Sequence, residues 1–359
     1  MSITLFRTLI RTSLAIKDAE SSDILSSATE LEWQQTFANL ELHRLLPLVF
    51  YGLKTHGLSD IVPQHYLALM QRSYRQTQKI NTRLLRTLER ILKAMLARNL
   101  HPTLWKGIVL ADSFYPDLAT RSMEDIDFAI PPDELEPATD VFQALGFLLK
   151  EDDATDDAVY FEDAMGVMCD VHHRVRLFEG KESLNLTCFL PSQHMTAALP
   201  TLEPNAMVVL LIVHMDGHRG ETGRLLSWML DLAFVIQKWG NLLDLQRIET
   251  LLPQEHFVSL FRTVRFLQQE FNQPIPPALA PKALGFEPFT LASVLRERRL
   301  TLWGLPRPRG WMRLGASRLG FRSKRDRPYP NLSDLLLWPA DALQNLRMND
   351  QPIHASKFW

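Results

Sequence analysis

Three aspartates in two short apolar segments carry the side chains best suited to chemistry in this sequence. Asp125 and Asp127 stand two residues apart at the start of one apolar run, and Asp170 lies within the run 167–171. Because side chains alternate between the faces of a β-strand, Asp125 and Asp127 share one face, and Asp170 can join them from a neighbouring strand. Such carboxylates repel one another until a hard divalent cation, Mg²⁺ or Mn²⁺, lies between them. We predict that all three are catalytic metal ligands, with Asp170 as the general base or as a ligand of the activating metal.

Residues upstream of this pair favour a metal site over a structural role. For an isolated Asp-x-Asp, the alternative is that Asp125 caps a turn and Asp127 faces solvent on an edge strand. Lys106 and Gly107, however, stand at a predicted strand-to-helix turn, where glycine lets the backbone approach a phosphate and lysine adds a positive charge. Arg121 is placed to grip a phosphate with two hydrogen bonds. Together they predict binding of a nucleoside triphosphate.

Three histidines are candidates for the same site. His172 follows Asp170 by two positions and shares its face, whereas His173 points to the opposite face. His214 and His218 are four residues apart on a predicted helix, which is a possible zinc spacing, but no glutamate follows His214 as the HExxH motif requires. The alternative is that His214 and His218 line a cleft between the sheet and a helical layer, hydrogen-bonded to nearby aspartates or to substrate. We expect His172, His214 and His218 to contact the nucleotide.

Three regions must position these residues. Helical periodicity runs from residue 3 to about 98, and Pro63 is expected to open a long helix that the stretch 99–102 closes. Five short apolar runs then predict a small sheet: 103–105, 126–130, 147–149, 159–162 and 167–171. The segment 133–145 has helical periodicity and ends at Gly146, which predicts a strand-helix-strand unit. The acidic segment 151–157 is interpreted as a solvated hairpin loop, with metal binding as the alternative.

Helical periodicity returns after residue 203, in the segments 206–215, 225–239, 242–252 and 257–271. Proline and glycine are dense from 274 to 330, which disfavours a continuous helix there. The basic stretch Arg307–Arg327 is interpreted as a solvated face or a loop paired with the acidic segment, or as a surface for an anionic partner. Trp228, Met229 and Trp239 are expected in the core. We predict a helical region 1–98, a sheet-bearing core 99–200 and a helical region 201–359 with a basic Pro/Gly-rich segment at 304–330.

Composition limits the class of protein. The 359 residues carry a net charge of −2 with a pI near 6.6, so any binding of nucleic acid must be local. The two cysteines, Cys169 and Cys188, cannot form a disulfide framework or a four-cysteine zinc site. The N-terminus reads as an amphipathic surface helix, and the longest apolar run is too short to span a membrane. We expect a cytoplasmic protein.

The ordered motifs resemble one known family. They are Lys106-Gly107, Tyr115-Pro116-Asp117, Arg121, Met123-Glu124-Asp125-Ile126-Asp127, Cys169-Asp170-Val171-His172-His173-Arg174, and finally His214, His218, Arg224, Trp228 and Asp231. Over roughly residues 40 to 240 this series resembles the uncharacterised nucleotidyltransferases of bacteria, within the DNA polymerase β-like superfamily.

The resemblance implies an α+β fold, with a small mixed sheet flanked by N-terminal and C-terminal helical layers. It also implies that Asp125, Asp127 and Asp170 bind the metal and that Gly107 lies at the phosphate turn. Two positions depart from the pattern: isoleucine follows Gly107 where the superfamily has glycine or serine, and His173 replaces a tryptophan. Similar proteins occur beside genes for lasso peptides, other peptide natural products and surface polysaccharides, which implies a tailoring enzyme.

Four functional hypotheses follow. The first is Mg²⁺-dependent transfer of a nucleotidyl group from a nucleoside triphosphate to a hydroxyl or phosphate acceptor on a peptide, sugar or RNA. The second is transfer of a sugar or other group from a nucleotide-activated donor. The third is a toxin that modifies transfer RNA. The fourth is a non-catalytic binding module in a biosynthetic assembly.

Overall fold

The computed structural model describes residues 2–16, 19–150, 158–176, 183–185, 194–196, 199–219 and 223–303. The acidic segment 151–157, Cys188 and the basic stretch 307–327 lie outside these residues. Nine strands and thirteen α-helices are described here, together with short 3-10 turns. None of the helices in the described part of the chain is long and apolar enough to cross a membrane.

The N-terminal layer contains five helices: α1 (Ile3–Ser13), α2 (Ser21–Ser27), α3 (Glu30–Leu42), α4 (Leu46–Thr55) and α5 (Gln64–Leu96). The predicted long helix is confirmed, since α5 begins after Pro63, and Asn99 takes a left-handed conformation just beyond its end. The N-terminal helix α1 is amphipathic as expected, but Leu5, Phe6 and Leu9 are almost completely buried. The helix therefore contributes to the core.

The predicted sheet is present, with strand bounds shifted by a residue or so. Its strands are β1 (Thr103–Leu104), β2 (Asp125–Ala129), β3 (Leu148–Leu149), β4 (Ala158–Glu162), β5 (Met168–His172), β8 (His194–Thr196) and β9 (Leu199–Thr201), and β6 (Arg174–Arg176) pairs separately with β7 (Ser183–Asn185). The order is β3-β4-β5-β2-β1-β9-β8, with parallel pairing of β2 to β5 and of β1 to β9. The sheet is mixed, as the resemblance implied.

Helices from within the strand region and from the sequence after it also pack with this sheet. The helix α6 (Ile108–Ser113) follows β1, and α7 (Leu135–Ala144) connects β2 to β3 and ends before Gly146, which has a φ of 86°. The C-terminal layer consists of α8 (Pro204–Gly217), α9 (Leu226–Trp239), α10 (Leu245–Leu251), α11 (Phe257–Phe271), α12 (Ala280–Ala283) and α13 (Leu291–Trp303). The α+β class with two flanking helical layers is confirmed. The helix α13 contradicts the expectation that no continuous helix forms after residue 274, because Pro and Gly are absent from its own residues 291–303.

The two helical layers pack into one hydrophobic cluster with the sheet, from Leu5 in α1 to Leu295 in α13. Arg7 of α1 reaches Glu270 of α11, with 2.9 Å between the arginine Nε and the carboxylate Oε2. The other oxygen of Glu270 accepts the backbone N–H of Leu291, at the start of α13. A buried carboxylate thus links the first helix to the last two long ones.

Candidate active site

Two parallel strands bring the predicted carboxylates together. The register of β2 against β5 places Asp127 directly beside Asp170, and Asp125 lies two residues earlier on the same face of β2. His172 follows Asp170 on its face of β5. One ligand atom from each of Asp127, Asp170 and His172 lies within 4.8 Å of the others. The third member of this compact group is therefore His172, whereas the sequence predicted Asp125.

This donor set suits an oxygen-preferring divalent cation. Asp127 is 2% exposed, whereas Asp125, Asp170 and His172 are partly exposed, so the carboxylate face opens toward solvent. Carboxylate oxygens are the ligands that Mg²⁺ and Mn²⁺ prefer, and a single imidazole is compatible with them. The residues present therefore fit the metal that the sequence predicts.

A lysine-glycine turn closes the site from the other side of β2. Lys106 follows the end of β1, and its Nζ lies 2.7 Å from Oδ1 of Asp127. Gly107 has a φ of 53° and a ψ of −113°, a conformation that favours glycine. A Cβ at this position would meet Oδ2 of Asp127 at 3.1 Å. Both residues of the turn are therefore matched to Asp127: Lys106 pairs with its charge, and the missing side chain of Gly107 leaves space for its carboxylate.

Burial and neighbouring charges shift the pKa values of Asp125 and Asp127 in opposite directions. Burial, and then repulsion from Asp127, raise the pKa of Asp125 to about 6. Burial also disfavours ionised Asp127, but Lys106 and His172 outweigh it and lower the pKa of Asp127 to about 2. Burial lowers the pKa of His172 and takes that of His214 well below its usual value. At pH 7 both rings are therefore neutral, the form that can bind a metal or accept a hydrogen bond.

Aromatic side chains form a wall beside the carboxylates. Trp105 continues the register of β1 against β2, and its ring lies edge-on to His172 at 5.5 Å and to His214 at 5.8 Å. His214 in turn contacts His218 at 4.7 Å and Trp228 at 4.8 Å. We call these five residues the His-Trp wall. The structure therefore connects His214 and His218 to the metal-ligand group through Trp105.

The sequence did not assign either tryptophan of this wall to the site, although Trp228 belongs to the motif series that carries the resemblance. Trp228 packs against the core as expected but is partly exposed, whereas Met229 and Trp239 are buried as expected. The Nε1 atom of Trp105 is buried and has no hydrogen-bond partner among the described residues. The signal for Trp105 was its place two residues before Gly107 on a strand that pairs with β2. The signal for Trp228 was its spacing of three from Asp231, which puts both residues on one face of a helix. That this face lies beside the carboxylates is visible only once the packing of the helices is known.

The guanidinium of Arg121 is paired with a carboxylate of the protein. Its Nε and Nη2 atoms each donate to a carboxylate oxygen of Asp231 at 2.8 Å. Tyr115 donates to the same carboxylate at 2.7 Å, and Asn81 of α5 donates to the backbone carbonyl of Arg121 at 2.8 Å. The guanidinium is therefore held by the protein, and its contact with phosphate stays a prediction.

A mixed sheet that presents carboxylates from adjacent strands, beside a lysine-glycine turn, is the arrangement that the resemblance to nucleotidyltransferases implied. The chain belongs to the family described as uncharacterised nucleotidyltransferases, whose sequence pattern matches residues 29–271. The protein is therefore a transferase with a nucleotide substrate. None of the curated proteins matches the chain.

Two solved structures are similar to the chain. A solution structure of the antibiotic-resistance factor ANT(2'')-Ia shares 15% identity with a TM-score of 0.37, over 52% of this chain and 96% of that one. A crystal structure of ANT(2'')-Ia in complex with adenylyl-2''-tobramycin shares 14% identity with a TM-score of 0.35, over 47% of this chain and 94% of that one.

Proposed function

We propose that this protein transfers a nucleotidyl group from a nucleoside triphosphate to a hydroxyl or phosphate acceptor, and that it requires Mg²⁺ or Mn²⁺. The observation that carries the proposal is the in-register pair Asp127 and Asp170, which forms with His172 a group of ligand atoms within 4.8 Å on a partly exposed face. Asp125 on the same face supplies a further carboxylate. A bound divalent cation would neutralise the triphosphate and favour ionisation of the acceptor.

The residues of this chain supply position and charge for the reaction. Lys106 offers its ammonium group to the phosphates, and Gly107 leaves room beside Asp127 for them to approach. The acceptor oxygen forms a bond to the α-phosphorus while the bond from that phosphorus to the bridging oxygen breaks, and pyrophosphate leaves with the electron pair. Asp170 accepts the proton of a hydroxyl acceptor.

The His-Trp wall is proposed to hold the nucleotide. The rings of His172, His214, His218 and Trp228 are partly exposed, whereas Trp105 is buried. A planar base can therefore stack on the exposed rings while its phosphates reach Lys106. Loss of the His214 and His218 rings should then raise KM for the triphosphate with a smaller effect on kcat. Alanine variants at both positions, compared by steady-state kinetics at saturating metal, measure that difference. A change in kcat alone would contradict the assignment.

The acceptor is proposed to be a peptide, a sugar or an RNA, in the tailoring of a natural product or polysaccharide. Incubation with α-³²P-labelled triphosphates and with labelled nucleotide sugars, each with candidate acceptors, separates nucleotidyl from sugar transfer by which label is incorporated. Label from a nucleotide sugar, with none from a triphosphate, would refute the proposal.

The metal carboxylates are tested by isosteric substitution. Asp127→Asn and Asp170→Asn should each reduce metal-dependent pyrophosphate release by roughly a thousandfold or more, because a neutral amide replaces a charged ligand. The matched control is Asp140→Asn, at an exposed position on α7, which should have normal activity. Asp127→Asn leaves the largely buried Lys106 without its nearest partner, so the double variant Asp127→Asn with Lys106→Met controls for stability. Full turnover by Asp170→Asn with an intact circular dichroism spectrum would refute the proposed site.

A further inference from the structure

The long helix α5 carries a single file of positive charge on its outer face. Seven exposed side chains make up this basic stripe: Arg72, Arg75, Lys79, Arg83, Arg86, Arg90 and Lys93. Their spacings of three and four residues keep them within an arc of about 80° on a helix, along a length of about 31 Å. Over all of α5 the only acidic residue is Glu89.

The stripe lies opposite the buried face of the helix. That face, which includes Tyr66, Met70, Leu84 and Leu88, packs into the core, and the helical period places it roughly half a turn from the cations. Within the part of the chain that the structure describes, none of the seven cations forms an ion pair with a carboxylate. One of them, Arg83, donates to the backbone carbonyl of Met165 at 2.8 Å.

Such an arrangement differs from an ordinary solvated helix face. Solvated helices intersperse both signs of charge, so that residues three or four apart attract each other, whereas here successive members of the file repel. The protein as a whole has a net charge of −2, so this concentration of one sign is local. A polyanion laid along the helix would relieve the repulsion between all neighbours at once.

We propose that the basic stripe of α5 is a docking surface for the phosphate backbone of a nucleic acid duplex. A cation about every 5 Å over 31 Å matches a linear polyanion better than a single phosphate. Five of the seven are arginines, whose planar guanidinium groups pair with phosphate oxygens through two hydrogen bonds. No aromatic side chain lies within the stripe, so it lacks the stacking platforms that single-stranded nucleic acid uses.

An anionic membrane fits this surface less well. Helices that bind membranes insert an apolar face beneath the charged headgroups, but the apolar face of α5 is already buried in the protein. The stripe also lies near the proposed chemistry. Met165, which Arg83 contacts, stands five residues before Asp170, a separation of at most about 17 Å along the chain. The duplex therefore docks beside the turn that leads into β5.

Binding to a fluorescently labelled 20-base-pair RNA duplex tests the proposal, in buffer with EDTA and without triphosphate. Affinity should fall roughly a hundredfold between 50 and 200 mM salt if about four phosphates are contacted. The stripe variant Arg75→Glu, Lys79→Glu, Arg86→Glu should bind at least about tenfold more weakly at 50 mM salt, with a visibly shallower salt dependence. Its neutral counterpart, with glutamine at the same three positions, should lie between it and the unmodified protein.

A control variant with the same change in net charge isolates the stripe. Lys54→Glu, Lys282→Glu, Arg296→Glu alters three exposed cations on other helices and should bind the duplex within about twofold of the unmodified protein. Equal loss in both triple variants, no duplex binding by the unmodified protein, or binding to phosphatidylserine vesicles without duplex binding would each overturn the proposal. Since the assay needs no turnover, Asp127→Asn should bind the duplex normally, and this separates the docking surface from the proposed function.

Discussion

At the scale of single residues, the buried ion pair between Arg121 and Asp231 fixes the segment that precedes β2. Both side chains are largely buried, and Tyr115 completes the carboxylate's hydrogen bonds. The backbone of Arg121, four residues before Asp125, is fixed in turn by Asn81. The pair therefore joins the helix α9 to the segment that leads into β2.

Removing one partner of this pair should be costly. Asp231→Asn leaves the guanidinium of Arg121 buried without a counter-charge, and we expect a loss of about 3–5 kcal/mol in the free energy of unfolding. Urea denaturation followed by circular dichroism measures it. The double variant Arg121→Leu with Asp231→Leu removes both charges and should recover a large part of the loss. A cost below about 1 kcal/mol for Asp231→Asn would show that the pair is solvated.

The sequence identified part of this residue-scale picture. Alternation along a strand was sufficient to group Asp125 with Asp127 and Asp170 with His172, because those relations are local. The partner of Arg121 was not predictable, since Asp231 lies 110 residues away and becomes a neighbour only after the helices pack. The location of Trp105 and Trp228 beside the carboxylates was not predicted, for the same reason.

At the scale of elements, the turn from β1 into α6 sets the space around Asp127. Gly107→Ala introduces backbone strain at a φ of 53° and a contact of 3.1 Å with the carboxylate. We expect a stability loss of roughly 1–3 kcal/mol and a fall in kcat of roughly ten- to a hundredfold, because Asp127 must move. Thermal unfolding and pyrophosphate release measure the two effects separately.

Gly57→Ala is the matched control for this turn. Gly57 also has a positive φ, of 69°, but a Cβ there would meet nothing within 4 Å. It should lose about 1 kcal/mol of stability and keep full activity. Equal effects of the two variants on kcat would mean that the space beside Asp127 has no catalytic importance.

The positions of most helices and strands were predictable from the sequence. Five apolar runs became strands β1 to β5, and Pro63 and Gly146 marked helix ends as expected. The pairing of β1 with β9 was not predictable, because it joins segments about a hundred residues apart in parallel. The existence of α13 was missed because proline and glycine density was averaged over a window wider than the helix.

At the scale of the whole molecule, His43 connects the two helical layers. It follows α3, is completely buried, and accepts the backbone N–H of Leu226, at the start of α9, through Nδ1 at 3.0 Å. Burial, with repulsion from Arg298 and Arg299, lowers the pKa of His43 to about 3. The unfolded chain therefore binds a proton at His43 below about pH 6.5, whereas the folded chain does not.

This difference predicts a pH dependence of global stability. At His43 the unfolded state binds more protons between pH 6.5 and 3, so the contribution of this residue to the free energy of unfolding should fall by up to about 1.4 kcal/mol for each unit that the pH is lowered. His43→Asn keeps an acceptor and removes the titration, so its stability should decline less steeply in that range. Urea denaturation at pH 7.5, 6, 5 and 4.5 compares the two proteins. Parallel declines would show that His43 is protonated in the native state.

Lys106 gives Asp127 a positive neighbour from its own chain, with 2.7 Å between Nζ and Oδ1. Because Lys106 already balances the charge of Asp127, we expect the chain to reach its native state without an added ion. Treatment with a chelator should stop turnover and leave the far-ultraviolet spectrum unchanged, and resupplying the ion should restore activity within the mixing time. We therefore expect the folded structure to form before the metal ion binds, unlike small metal-dependent domains, which unfold when the metal is removed.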